Sequence, residues 1–298
     1  MSVARAALAQ FTGSYATEKN VAKASALARE AAGNGAHIVC FPEICNTVYL
    51  PWEEDARHFA QAEPESGSSV TTMRAVARET GITIVYPFFE RDGDHYFNAA
   101  VVIDPDGGIQ GKYRKASVPH ARLLPGASER FYFTPGDLPY RVFDTPFGFR
   151  FGIIICYERN LPEPARCVAL AGADLLLVPV ATTALVRPWW EVLLRAHAIQ
   201  NVMYVGACNK VGPDEDGAPG TDYFGTSLMI DPRGDVVAQG SDTAEEIVYM
   251  DLDLDLLARQ RAQWTFFEDR RPDLYGAITA AGSTPMRDEP AVGVAVGR

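Results

Sequence analysis

Two runs of consecutive apolar residues, Gly152-Ile-Ile-Ile-Cys156 and Leu175-Leu-Leu-Val178, constrain this chain more than any other feature. A strand with one wet face alternates apolar and polar side chains, so a run without alternation marks a strand covered on both faces. Further β-rich runs at residues 3–10, 37–41, 82–88, 98–103, 149–155, 174–180, 203–207, 227–230 and 246–252 read as sheet strands. Ala-rich segments with helical spacing lie between several of them, at 18–32, 69–80, 162–171 and 188–201. In the last, Trp190, Leu194 and Ala198 recur every four residues, as do Leu193 and His197, giving one apolar face. Gly33-Asn34-Gly35 can stop the first long helix, while Asp104 to Gly108 and Asp231-Pro232-Arg233-Gly234 can reverse hairpins. Hairpins need antiparallel neighbours, and doubly covered strands need helices on their outer faces. An α/β sandwich of two mixed sheets with helices outside satisfies both. No linker-like tract interrupts the pattern, so residues 1–276 read as one domain, followed by a tail or arm at 277–298 that is poorer in large apolar groups.

Composition removes several function classes. With 27 Lys and Arg against 38 Asp and Glu, the formal charge is −11, and no basic run marks a surface for nucleic acid or an anionic membrane. No apolar stretch reaches the roughly 18 residues of a membrane span, and the first eleven residues lack the apolar core of a secretory leader, so a cytoplasmic location is expected. Cys40, Cys45, Cys156, Cys167 and Cys208 are an odd set in a long chain, which fits reduced thiols. Neither a metal nor a cofactor is expected, since the chain has no Cys-x-x-Cys, His-Glu-x-x-His or Gly-x-Gly-x-x-Gly. The stretch from Asp106 to Lys112 lacks the first Gly and final Ser/Thr of a phosphate loop and reads as a hairpin. Asp251, Asp253 and Asp255 lack the Gly and terminal Glu of a calcium loop and read as a solvated strand end.

Cys156 closes an apolar strand, and Pro162 a few residues later suits the first turn of a helix, which puts the thiol at a strand-to-loop switch beside backbone N–H groups. Taken alone it reads equally well as a core thiol. Glu43 follows the strand at 37–41 and the intervening Pro42, where a solvated carboxylate is the simpler reading. Lys115 ends a triplet with Lys112 and Arg114 that by itself reads as a wet edge strand. Glu129 alone means little.

The conjunction changes this. Phe41-Pro42-Glu43, Tyr113-Arg114-Lys115, Glu129 to Gly136, Cys156-Tyr-Glu-Arg with Pro162-Glu163 and Arg166, Gly172-Ala173, Arg195 to Asn201, Asn209-Lys210-Val-Gly212 and Phe224-Gly225-Thr-Ser227 follow one another along most of the chain. In this order they resemble the nitrilase superfamily of carbon-nitrogen hydrolases. The resemblance implies a four-layer αββα sandwich, often paired into homodimers or larger homo-oligomers. It also implies a triad of Glu43, Lys115 and Cys156, with Glu129 as a second glutamate. Many relatives carry a histidine two residues after the lysine; here Ser117 holds that position.

An unperturbed thiol of pKa about 8.5 is only a few per cent thiolate at neutral pH. On the implied triad, Glu43 takes the Cys156 proton and returns it to the departing nitrogen. Lys115 and the Tyr157 backbone N–H stabilise the oxyanion. Water activated by Glu43 then hydrolyses the thioester, and Glu129 orients Lys115 or the substrate. Family members split small amides, N-carbamoyl compounds or nitriles. Arg159, the Pro179-Val-Ala-Thr-Thr183 loop with Thr182, Leu252-Asp-Leu-Asp and Trp264 to Tyr275 resemble the branch acting on N-carbamoyl amino acids, such as N-carbamoyl-β-alanine. A guanidinium at Arg159 suits a substrate carboxylate through two parallel hydrogen bonds, against the alternative of an ion pair with Glu158, Glu163 or another carboxylate. Tyr49, Tyr157, Trp189 and Trp190 suit pocket walls, core packing or dimer packing alike. The competing readings are an aliphatic amidase, an N-carbamoylputrescine amidase, a nitrilase, and a catalytically silent scaffold.

Overall fold

The computed structural model describes residues 3–120, 128–215 and 222–280. Strands β1 (Val3–Gln10), β2 (Ile38–Cys40), β3 (Thr83–Asp92), β4 (His95–Ile103), β5 (Ile109–Arg114) and β14 (Glu246–Asp253) form one sheet in the order β14-β1-β2-β3-β4-β5. Strands β6 (Val142–Asp144), β7 (Arg150–Ile153), β8 (Leu175–Pro179), β9 (Tyr204–Cys208), β12 (Leu228–Ile230) and β13 (Val236–Gln239) form a second, in the order β13-β12-β9-β8-β7-β6. A small hairpin pairs β10 (Val211–Pro213) with β11 (Asp222–Phe224).

Each large sheet has a parallel centre, β1-β2-β3 in one and β7-β8-β9 in the other. Their flanks are antiparallel. Every residue of β2, β8 and β9 is buried, as their unbroken apolar sequences require. Helices α1 (Thr17–Gly33) and α2 (Ser68–Thr80) cover the first sheet through small side chains such as Ala24, Ala28 and Ala31 with Val70 and Met73. Between them and the later helices stands a short α3 (Glu129–Tyr132). Helices α4 (Pro162–Leu170) and α5 (Arg187–Asn201) cover the second sheet. The inner faces of the two sheets meet where β1 packs on β9: a Cβ on Gly206 would stand 3.3 Å from Leu8 Cδ2 and 3.2 Å from Met229 Sδ. The layers are therefore helix, sheet, sheet, helix, the expected αββα sandwich.

The expected hairpins form, with Gly107 and Gly234 in the left-handed region at φ 82° and 88°. Strands β6, β10, β11 and β13 went unread, because each is three or four residues long and, unlike the equally short β2 and β12, none is apolar throughout. Asp251 and Asp253 end β14 with half-exposed carboxylates, as the solvated strand end implies, and Asp253 has a second role. Its carboxylate caps α6 (Leu254–Gln263) by accepting from Leu256 N–H at 2.8 Å, and Asp251 pairs with Arg5 at 2.7 Å. No described helix is long and apolar enough to cross a membrane.

The chain divides into two units, Met1–Trp264 and Thr265–Arg298. The described part of the second holds a 3-10 turn at Pro272–Leu274 and helix α7 (Gly276–Thr279). Of the tail at 277–298, residues 281–298 lie outside the described residues.

Candidate active site

The second sheet delivers Cys156. Strand β7 runs through Gly152, where a Cβ would meet Val168 Cγ1 at 2.1 Å, so glycine lets α4 lie close against the strand that leads to the cysteine. The chain then turns sharply at Cys156, whose φ of 47° lies in the left-handed region that a side chain rarely adopts. A conformation of this kind costs about 1–3 kcal/mol and marks a functional position when the surroundings hold it. Cys156 is 7 % exposed and lines a cavity of about 560 Å³.

The first sheet delivers the other two groups. Glu43 lies three residues beyond the end of β2 and is fully buried. Its Oε1 accepts from Asn98 Nδ2 at 2.7 Å and Lys115 Nζ at 3.0 Å, and its Oε2 accepts from the Ala181 N–H at 3.0 Å. Lys115 directly follows β5, and its ammonium also donates to Glu129 Oε2 at 2.5 Å. Glu129 opens α3 and in turn accepts a hydrogen bond from the Tyr49 hydroxyl. The wet-edge reading of the cation triplet fails. Lys115 is 1 % exposed, Arg114 4 %, and Arg114 holds Glu90 through Nε at 2.7 Å and Nη2 at 2.9 Å.

Two carboxylates thus share one buried ammonium, and their charges set the site's proton affinities. Burial works to lower the Lys115 pKa, but Glu129 and Glu43 outweigh it and hold the ammonium above its usual range. Burial, followed by the Glu43 charge, pushes the Cys156 thiol up to about 12 against the pull of Lys115 and Arg159. Burial also raises Glu129.

Tyr49, Tyr157, Arg159 and Thr182 all line the cavity with Cys156 and Glu129. Of the tryptophans, Trp189 lines it, whereas Trp190 is buried, packs edge-on against Phe224 and donates to the Thr226 carbonyl at 3.1 Å. Arg159 is 2 % exposed. Its Nη1 donates to the Cys156 carbonyl at 2.8 Å and stands 3.5 Å from Sγ, and Nη2 reaches Thr182 Oγ1 at 3.5 Å. Its Nε has no partner, and among the described residues no carboxylate pairs with it. The expected alternative, an ion pair with Glu158, is absent because Glu158 accepts from five other donors.

Sequence reasoning missed Asn98, whose signal is a polar residue opening the apolar run of β4, and the apolar walls Trp52, Leu185, Val186 and Leu193. Among the described residues, Glu53, Asp55 and His58 are grouped closely enough to hold a metal ion, but His58 is bonded to Glu53 at 2.8 Å, Asp55 to Arg57, and none lines the cavity.

The sequence model of the carbon-nitrogen hydrolase family matches residues 5–262. The N-carbamoylputrescine amidase of Arabidopsis thaliana is 34 % identical over 281 residues, covering 90 % of this chain and 93 % of that protein. The citrullinase of Francisella tularensis is 32 % identical over 286 residues, covering 93 % and 99 %. The crystal structure of a carbon-nitrogen hydrolase from Helicobacter pylori superposes with a TM-score of 0.85 at 30 % identity, over 94 % of this chain and 99 % of that one. This chain belongs to the carbon-nitrogen hydrolases of the nitrilase superfamily, and it is a hydrolase of amide or carbamoyl C–N bonds.

Proposed function

We propose that this enzyme hydrolyses the carbamoyl C–N bond of N-carbamoyl amino acids through a thioester on Cys156. The observation that carries the substrate class is Arg159, a buried guanidinium with no carboxylate partner among the described residues, standing 3.5 Å from the sulfur in the cavity. A buried cation without a counter-charge is unfavourable, and a substrate carboxylate supplies that charge beside the reacting carbon. The rest of the lining argues against N-carbamoylputrescine. Among the described lining residues Glu129 is the one carboxylate, and Lys115 already holds it, so a distal ammonium finds no free anion.

In the chemistry we infer, Sγ attacks the carbonyl carbon as its proton passes to Glu43. The carbonyl electrons move to oxygen, facing the Lys115 ammonium and the Tyr157 N–H. The intermediate collapses with C–N cleavage, and Glu43 returns the proton to the leaving nitrogen. Water then attacks the thioester carbon, Glu43 takes its proton, and the C–S bond breaks as the sulfur is reprotonated. The acid–base steps contribute typically ~10²- to 10⁴-fold. Glu129 holds Lys115 in place, and Tyr49 steadies Glu129. Small amides are the second reading, since nothing in the triad distinguishes the two carbonyls.

Five free cysteines support a reducing, cytoplasmic setting, and the family likeness supports a homo-oligomer, which sedimentation would size. Ammonia release from N-carbamoyl-β-alanine, N-carbamoylputrescine, propionamide and propionitrile tests the substrate class. Preference for the acidic carbamoyl compound is expected; preference for N-carbamoylputrescine or the nitrile would overturn it.

A further inference from the structure

Glu158 lies two residues after Cys156 and does not line the cavity, yet its carboxylate is fully buried and bonded to five donors. Oε1 accepts from the Tyr113 hydroxyl at 2.7 Å, the Tyr140 hydroxyl at 3.1 Å, and the N–H groups of Ala116 and Ser117, each at 3.1 Å. Oε2 accepts from the Ile155 N–H at 2.8 Å, while the Glu158 N–H donates to the Ile155 carbonyl at 3.1 Å. The donors come from three parts of the chain, 113–117, Tyr140 and Ile155. Ala116 and Ser117 are the two residues after Lys115, and Ile155 is the residue before Cys156. Among the described residues no cation pairs with Glu158, so its bonds tie backbone to backbone across the two sheets.

We propose that Glu158 is a positioning residue whose side chain spans from the loop after Lys115 to the turn before Cys156 and so sets where the ammonium stands relative to the sulfur. The proposal rests on the triad reading above. It explains two features together. The left-handed turn at Cys156 is enclosed between Ile155 and Glu158 by bonds in both directions, which is the over-determination such a conformation requires. And Ser117, where many relatives carry histidine, joins this network through its backbone N–H.

What matters on this account is reach. Aspartate keeps the charge but is shorter by about one C–C bond, about 1.5 Å. It cannot hold bonds of 2.8 Å and 3.1 Å on opposite sides at once. Glutamine keeps the length and an oxygen for the donors on the lysine side; its amide NH2 cannot accept from the Ile155 N–H, so it loses that one bond, while the Glu158 N–H still holds the Ile155 carbonyl across the turn.

The test compares kcat and KM of the wild type, Glu158→Gln, Glu158→Asp, Glu158→Ala and Tyr140→Phe on the best substrate of the panel, with circular dichroism to confirm folding. Glu158→Asp and Glu158→Ala should lose ~10²- to 10³-fold in kcat, as for a misplaced oxyanion donor, with KM within about threefold. Glu158→Gln should stay within about tenfold of wild type, and Tyr140→Phe, which removes one neutral donor, should lose roughly two- to tenfold in kcat. Glu158→Asp at wild-type kcat, or Glu158→Gln as impaired as Glu158→Asp, overturns the proposal, as does KM rising in step with the fall in kcat. If the Asp and Ala variants fail to fold, an unchanged kcat in Tyr140→Phe overturns it. Turnover by Cys156→Ala would refute the triad reading itself. An inactive Cys156→Ala beside a fully active Glu158→Asp would refute the inference about Glu158 alone.

Discussion

Replacing Arg159 by alanine should separate acidic from neutral substrates. The guanidinium is 2 % exposed and lies within 3.5 Å of the nucleophile, so a carboxylate bound to it is shielded from water on the protein side. Two unit charges about 4 Å apart at an effective dielectric of about 20 attract by about 4 kcal/mol. Measured losses on truncating one partner of a buried charge pair are similar, about 2–5 kcal/mol. At about 1.4 kcal/mol per decade, kcat/KM for an acidic N-carbamoyl substrate should fall ~10²- to 10³-fold. A neutral substrate loses only what Arg159 does within the protein, chiefly its bond to the Cys156 carbonyl at 2.8 Å beside the longer contacts to Sγ and Thr182 Oγ1. A bond from a charged donor is worth about 1.5–3 kcal/mol, roughly 10- to 10²-fold, and both substrates lose it, the acidic one in addition to its charge pairing. The assay is ammonia release from N-carbamoyl-β-alanine and from propylurea, in which a methyl group replaces the carboxylate. Arg159→Lys should recover part of the acidic activity, because it restores charge without the planar fork. Equal losses on the two substrates would refute the reasoning and reduce Arg159 to a prop for the turn.

Four other outcomes follow from the structure. The Cys156 thiol is pushed up to about 12, so its alkylation by iodoacetamide in the free enzyme should keep accelerating above about pH 9; a plateau near the usual thiol pKa of about 8.5 would contradict this. Lys115→Met leaves Glu43 and Glu129 buried without their shared cation, and urea unfolding should show a loss of about 3–5 kcal/mol alongside inactivity. Gly152→Ala forces a methyl against Val168 Cγ1 at 2.1 Å and should cost about 1–3 kcal/mol. Gly33→Ala, at the end of α1 with open space around it, should leave the melting temperature level or slightly higher.

The layered sandwich was legible because its signals are local. The unalternating runs became the parallel centres β7 and β8, and the Ala-rich segments became α1, α2, α4 and α5. The candidate triad was legible only through the order of its motifs. Read alone, Lys115 looked wet, since a buried charge and a solvated one have the same letters and differ only in distant partners, here Glu43 and Glu129. The same limit hid Glu158, whose partners lie 3 to 45 residues away, and Asp214, which pairs with Lys210 at 3.1 Å and also holds the Tyr49 N–H at 3.0 Å. Helix α6 went unread because Asp253, the residue that caps it, is also the last residue of a strand.

Peptide mass spectrometry of enzyme quenched during turnover tests the sulfur chemistry most directly. The account predicts that the peptide containing Cys156 carries the added mass of the substrate's acyl or carbamoyl group, and that the adduct vanishes together with turnover in Cys156→Ala. An unmodified Cys156 throughout turnover, with ammonia still released by Cys156→Ala, would contradict it.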